Sequence, residues 1–319
     1  MLSKFWVVFI GFFIFIFPLF FSYSGEFNYS PIVSTSALAL GFVLWILFIL
    51  SFFRQTIYDP KRMKEKIIEL MKNGHLERGK VLDKIILEKT KDSMNSTEIK
   101  VEFRNLSGTW VTHDFVFLDS KPYLNRYEVG NSIHLRLNTK ENNPPVIFEE
   151  SNPVFNPKFG IFAIIFLIIY MIGTFAAHYY FFSNGRGWRF LSFWHPWLMT
   201  PAIGLFIFVF LNEILDSYKF FSKGNIINDN EILLYGKPAK ATIQRAEQTG
   251  LYVNEQPQLK FILNFEDDKG QKQSVNFKKI IPLTELYNYQ KGVKDILFLP
   301  RDPQQMMFVD WDLKTENLT

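Results

Sequence analysis

Apolar residues in this chain come in two kinds of block. Four stretches are apolar almost without interruption: 5–21, 37–53, 159–182 and 196–211. In the segments after the second and fourth of these, apolar and polar residues alternate with a period of two. A helix needs ~20 apolar residues to cross the hydrocarbon core of a bilayer. None of the four stretches carries Asp, Glu, Lys or Arg in its interior, so each is read as a transmembrane helix. A charge inside a span is the usual pointer to an ion or substrate path. Without one, the spans read as an anchor made of two helical hairpins.

The alternating segments predict β structure. Ala239, Ala241 and Ile243 lie on one face of a first strand. Leu259, Phe261, Leu263 and Phe265 then lead into Asp267-Asp268-Lys269-Gly270, with Val275 and Phe277 beyond, which is a hairpin signature. A short helix at 283–290 and strands around 295–300 and 306–311 follow. Five strands and one short helix in fewer than a hundred residues fit a small closed barrel. The earlier segment repeats this plan around the turn Asn105-Leu106-Ser107-Gly108. Polar runs at 91–98 and 251–257 read as exposed loops. The expectation is an α+β membrane protein: hairpin one at 1–55, a cytoplasmic β domain at 56–157, hairpin two at 158–216 and a second β domain at 217–319.

The two halves echo one another at an offset of 162 residues. Leu124, Tyr127 and Gly130 match Leu286, Tyr289 and Gly292, and Gly74 matches Gly236. Val81 falls on Ile243, and Ile99, Val101 and Phe103 fall on Phe261, Leu263 and Phe265. Gly108 falls on Gly270, and Leu135 and Leu137 fall on Leu297 and Leu299. The second span slides onto the fourth, and no gap is needed. This reads as a tandem duplication of one unit, parallel because an even number of spans preserves orientation. In each copy the Tyr should pack inward and the Gly should take a left-handed turn after a short helix. Lys4 before an apolar run also fits a signal peptide, but the repeat argues that the first span is kept.

Charge sets the orientation. Arg54, Lys61, Arg62, Lys64 and Lys66 follow the second span and Lys219 and Lys223 follow the fourth, while the loop between the first two spans has no Lys or Arg. Basic residues flank the cytoplasmic ends of spans, which puts the N-terminus and both β domains in the cytoplasm of a bacterial cell, below its inner membrane. Arg186 and Arg189 oppose this weakly, and Trp188, Trp194 and Trp197 fit an interfacial belt. Residues 59–74 also place Met63, Ile67, Leu70 and Met71 at helical spacing among cations. That makes Lys61, Arg62, Lys64 and Lys66 candidate contacts for an anionic leaflet. A net charge of +4, with no basic stripe interleaved with aromatics, gives no basis for nucleic-acid binding.

The sequence offers little chemistry. There is no cysteine, which excludes disulfides, thiolate metal sites and cysteine nucleophiles. His75, His113, His134, His178 and His195 show no ligand spacing, although His178 and His195 flank one hairpin loop and could meet across it. Glu266-Asp267-Asp268 reads as a solvated turn, with Asn105 at the matching place. Asp310-Trp311-Asp312 reads as an exposed edge. Four glycosylation triplets occur, at Asn28, Asn95, Asn105 and Asn317, and the last three fall on the expected cytoplasmic side, where they carry no message. No phosphate loop, nucleophile elbow or dinucleotide fingerprint is present. No catalytic, metal or cofactor-binding residue is expected.

The segment Tyr235 to Ile243, the hairpin after it and Tyr289 to Pro303 resemble bacterial membrane proteins of an uncharacterised domain-of-unknown-function family. These carry a small β-barrel beside paired transmembrane helices, and Pro300 and Pro303 match the end of their motif. Asn138 and Glu141 replace those prolines in the first half. The resemblance implies no catalytic residues. The expected function is a non-enzymatic inner-membrane protein whose paired β domains bind a protein partner. An immunity protein against a membrane-targeting toxin, a transporter or channel subunit, and a hydrolase built across the two barrels are the alternatives.

Overall fold

The computed structural model describes residues 4–23, 28–89, 95–140, 143–208, 226–253, 255–289 and 291–309. Lys219, Lys223, Glu141, Asp310 to Asp312, Asn317 and the end of the fourth apolar stretch lie outside the described residues. The chain folds into two compact units. One is drawn from Met1–Lys64 and Val154–Asp216, the other from Glu65–Pro153 and Ser217–Thr319.

The first unit is helical. Two helices are long and apolar enough to cross a membrane: one running Pro31–Asn73 and one at Lys158–Phe182, with shorter apolar helices at Val8–Phe21 and Pro196–Phe208. Its segments are α1 (Lys4–Gly11), α2 (Pro31–Phe53), the part of α3 (Asp59–Asn73) as far as Lys64, α4 (Lys158–Phe182) and α5 (Pro196–Phe208). From Glu65 on, α3 belongs to the second unit. The first apolar stretch is not one regular helix. It passes from α1 into a π-turn at Phe12–Ile16 and a 3-10 segment at Phe17–Tyr23. Pro18 causes this, because its ring has no N–H and collides with the preceding turn. α2 begins at Ser30, whose hydroxyl accepts the Val33 N–H at 3.4 Å, with Pro31 in the first turn. Its buried stripe is Ser34, Ala37, Gly41, Trp45 and Phe48, at spacings of one turn. The small residues let α5 come close: a side chain at Gly41 would overlap Trp197, and one at Gly204 would overlap Phe48. The Trp45 indole donates to Trp197 O at 2.9 Å and the Ser34 hydroxyl to Leu191 O at 3.0 Å.

The second unit holds two five-stranded antiparallel sheets, with orders β3-β2-β1-β4-β5 and β8-β7-β6-β9-β10. The strands are β1 (His75–Lys89), β2 (Asn95–Arg104), β3 (Trp110–Asp119), β4 (Ser132–Leu137), β5 (Val146–Phe148), β6 (Lys237–Val253), β7 (Gln256–Glu266), β8 (Lys272–Ile280), β9 (Gly292–Leu299) and β10 (Asp302–Phe308). Counted within each sheet, the order is the same. The register also repeats: Val81 pairs with Val101 and Ile243 with Leu263, and the next pairs skip one residue in both sheets, to Asp83–Lys100 and Arg245–Ile262. Each sheet is preceded by a helix that stops at glycine, α3 at Gly74 and α6 (Ile226–Tyr235) at Gly236. The Gly74 N–H bonds to Leu70 O and the Gly236 N–H to Ile232 O, and a side chain at either glycine would press on that carbonyl.

The gapless offset fails after the third strand. Leu76 pairs with Arg136 but Pro238 pairs with Leu297, so β4 and β9 correspond one residue out of step. Leu135 and Leu137 therefore match Ile296 and Phe298. Alternation decides this, since a one-residue slip would turn every core side chain outward. Gly130 and Gly292 do take positive φ, 91° and 115°, but Gly292 stands where Asn131 stands in the first sheet. The short helix of the first sheet is only Pro122–Leu124, closed by Asn125 in the left-handed region. Tyr127 packs on Phe117 and Phe148, and Tyr289 on Phe261 and Phe308.

Only the second sheet approaches a closed barrel. The Gln304 amide of β10 reaches Ser274 O of β8 at 3.3 Å, and Phe277 meets Phe308 across the same gap. β5 is three residues long, too short to cover the edge of β3. The described residues of the polar runs expected as loops are mostly strand: β2 starts at Asn95, β6 runs to Val253 and β7 starts at Gln256. The inward positions there are Thr97 and Pro257, which carry no apolar alternation in the sequence although both are buried.

The two sheets are joined through α6. Leu106 N–H donates to Leu234 O at 2.9 Å, the Ser107 hydroxyl to Tyr235 O at 2.8 Å and the Asn105 amide to Gly236 O at 2.9 Å. These fill carbonyls that a helix end leaves without partners. Ile232, Leu233 and Leu234 of α6, with Leu297 and Leu299 of β9, share one core with Phe103, Val111 and Leu135 of the first sheet. Glu231 is buried and pairs with Arg301.

Candidate functional site

The outer faces of the two sheets differ. Residues directly opposite on neighbouring strands project on the same side. In the first sheet Ile85, Glu98 and Val116 form such a row across β1, β2 and β3, and Ser96 and Leu118 lie in the next. The core side of these strands is filled by Ile99, Val101 and Phe103, each fully buried. Alternation would make the other side polar. Instead Ile85 is 51% exposed, Val116 62% and Leu118 56%, and Leu87, which stands in the bulge between Ile86 and Glu88, is 51% exposed beside them. Asp83, Lys100 and Asp114 form the adjoining row, so a charged rim borders the apolar strip.

The second sheet keeps the polar pattern. Its matching row is Glu247, Lys260 and Lys278, Thr249 stands at the position of Leu87, and only Ile280, at the position of Leu118, stays apolar among these. The strip is thus a property of one sheet and not a demand of the fold. The clue in the sequence is the loss of alternation: Ile85-Ile86-Leu87 and Phe115-Val116-Phe117-Leu118 are unbroken apolar runs. A half-buried strand has no need of them.

The helical unit holds a second cluster that a search for charges misses. α4 stacks Tyr170, Thr174 and His178 one turn apart. The Tyr170 hydroxyl donates to Phe15 O at 2.6 Å, in the π-turn before Pro18, and so supplies a partner where the helix is irregular. His178 Nδ1 meets Thr174 O at 2.7 Å and must carry a proton there. His195 Nδ1 accepts the Trp197 N–H at 3.1 Å, which puts its own proton on Nε2. The two rings meet edge to face at 4.5 Å, as their places around the loop suggested. His195 Nε2 and the Trp197 indole N–H are buried with no hydrogen-bond partner among the described residues. Uncharged polar groups at such contacts hold apolar helices in register. Among the described residues no cluster of three or more His, Asp or Glu could hold a metal ion.

No protein-family model, curated protein or solved structure matches this chain.

The sequence-derived candidates do not converge on one site. Lys61, Arg62, Lys64 and Lys66 lie on α3, which continues the helix of the second apolar stretch through a π-turn instead of opening a new one. Lys61 and Arg62 are exposed, Lys64 and Lys66 half-buried. Gly74, Gly130, Gly236 and Gly292 are turn and helix-end positions, and Tyr127 and Tyr289 are core. Arg126 lies over the Tyr127 ring and pairs with Asp119 at 3.0 Å and Glu150 at 3.1 Å, while burial pushes the Tyr127 hydroxyl pKa up. Asp267 closes the β7–β8 turn, accepting the Lys269 and Gln271 N–H groups at 2.9 Å on its carboxylate.

Proposed function

We propose that this protein is a multi-pass inner-membrane protein without catalytic activity, whose first β sheet binds a protein partner through Ile85, Leu87, Val116 and Leu118. The observation that carries this reading is the exposed apolar side chains Ile85, Leu87 and Val116, replaced by Glu247, Thr249 and Lys278 on the other sheet, where of the four strip residues Leu118 alone keeps an apolar counterpart, Ile280. Large exposed apolar patches with polar rims mark interaction surfaces. Four apolar helices in two hairpins anchor the chain, with the N-terminus and both sheets on the cytoplasmic side. Lys61, Arg62, Lys64 and Lys66 meet anionic headgroups as the helix leaves the bilayer. Common strand order, a shared bulge and glycine-stopped helices support one ancestral duplication, after which the copies diverged on their outer faces.

A photo-crosslinking side chain at Val116, in the full-length protein in native membranes, is expected to give one discrete protein adduct. The same probe at Lys278, its counterpart, should give none, and Ile85→Glu should remove the Val116 adduct. Equal labelling from both positions, or adducts with lipid alone, would rule the reading out.

A further inference from the structure

The joint between the sheets has two halves, and each half has a counterpart in the other sheet. The inserting half is the turn Asn105–Gly108, and its counterpart is Asp267–Gly270. The receiving half is the end of α6 with Leu297 and Leu299 beside it. By strand register its counterpart is the end of α3, with Arg136 at the position of Leu297 and Asn138 at that of Leu299. Among the described residues these two counterparts make no hydrogen bond or ion pair with each other.

Their side chains have changed together. On the receiving side Leu234 is replaced by Lys72, Leu297 by Arg136 and Leu299 by Asn138. On the inserting side Asn105 is replaced by Asp267 and Leu106 by Asp268. An apolar joint has become a polar one. The seat carries Lys72, Arg136, which also pairs with Glu149, and Lys140, which pairs with Glu69. On the turn Asp268 pairs with Lys237 at 2.8 Å, an ion pair that docking would have to exchange. The loss of the Asn105 donor is also matched. At α6 that amide fills Gly236 O, but at α3 Arg136 Nη1 already fills Gly74 O at 3.1 Å. An acceptor at the inserted position then faces a guanidinium instead of a bare carbonyl. Lys72 O and Asn73 O, the equivalents of the carbonyls that Leu106 and Ser107 fill, accept no hydrogen bond from described residues. A cleft of about 70 Å³ lies beside them, bordered by Lys66, Glu69, Leu70, Asn73, Asn138 and Lys140, with Lys140 paired to Glu69 at 3.0 Å. Lys269 of the acidic turn is exposed, and the Asp268 side chain, paired with Lys237, is 27% exposed. Hydrogen bonds from the Gln271 N–H first, then from the Gln273 amide and the Lys269 N–H, hold the Asp267 carboxyl below its usual range, so the turn is anionic at neutral pH.

We infer that the Asp267–Gly270 turn of one copy docks on the α3 end of a second copy, so that chains associate head to tail by repeating their internal joint. Asp268 N–H takes the place of Leu106 N–H against Lys72 O, and Asp267 and Asp268 face Arg136 and Lys72. Such an interface is heterologous. It extends until the rotation per copy closes a ring, or else it forms a filament.

The absence of native cysteine makes the test direct. The full-length Asn73→Cys, Lys269→Cys double variant in membranes is expected to give a reducible ladder of covalent oligomers on mild oxidation. Mixed single-cysteine chains should stop at a heterodimer. Asp268→Lys or Lys72→Asp alone, both at exposed positions, should lower the yield at least tenfold, and combining them should restore it. No ladder from the charge-wild-type protein, or a ladder indifferent to these charges, would overturn the inference.

Discussion

Asn105→Asp is expected to destabilise the β unit by about 3 kcal/mol, whereas Asp267→Asn, the reverse exchange at the matching turn, should leave its melting temperature in place. Both residues hold their own turns in the same way, accepting N–H groups two and four positions ahead. Asp267 adds a bond within its own hairpin, accepting the Gln273 amide at 2.8 Å, whereas Asn105 reaches to the other sheet's helix, giving its amide hydrogen to Gly236 O from a position 4% exposed. An aspartate there would lose that bond and set a buried negative charge against the carbonyl end of α6, where the helix dipole is also negative. Removing one partner of a buried polar contact costs 1–3 kcal/mol, and an uncompensated buried charge costs more. Thermal unfolding of the full-length variants, followed by circular dichroism, reads the difference. Equal shifts for the two exchanges would mean that the joint at α6 adds nothing to stability.

Gly41→Leu should be the most damaging change in the helical unit. A side chain at Gly41 would occupy the space of the Trp197 indole. α2 and α5 would have to separate, or Trp197 would have to leave a site where it is 2% exposed. Either response breaks the Trp45–Trp197 hydrogen bond. Overpacking of this kind costs 1–3 kcal/mol even where neighbours can adjust. The same substitution at Gly173 meets nothing within 4 Å and serves as the control. Thermal aggregation in detergent is expected to fall clearly in temperature for Gly41→Leu and to stay put for Gly173→Leu. Identical behaviour of the two would show that the small residues of α2 are not packing positions.

The parts of the architecture written in local periodicity could be read from the sequence. Alternation located β7 and β8 around Asp267–Gly270, and the glycines at 74 and 236 marked two helix ends. What could not be read depends on partners distant in sequence. Nothing local says that β4 and β9 differ by one residue in register, because both possibilities place leucines at the right spacing. The joint was hidden because Asn105-Leu106-Ser107-Gly108 is an ordinary hairpin turn by composition, and its attachment to α6 lies 131 residues away. His178 and His195 were legible as neighbours around one loop, but Tyr170 and Thr174 below His178 carry no charge, and the Tyr170 partner at Phe15 lies 155 residues away. The outer strip on β1 and β3 was visible as unbroken apolar runs, yet an exposed run and a buried strand look alike until the sheet is assembled.

Labelling of single cysteines with a membrane-impermeant maleimide tests most directly whether two hairpins hold both sheets on one side of a bilayer. Tyr123, Tyr287 and Trp194 are 74%, 85% and 67% exposed, and no native cysteine competes. Cysteines replacing Tyr123 and Tyr287 should react only in inverted inner-membrane vesicles, and a cysteine replacing Trp194 only in intact cells with a permeable outer membrane. Reaction of the Tyr123 and Tyr287 positions from opposite sides, or of all three from the same side, would contradict the account.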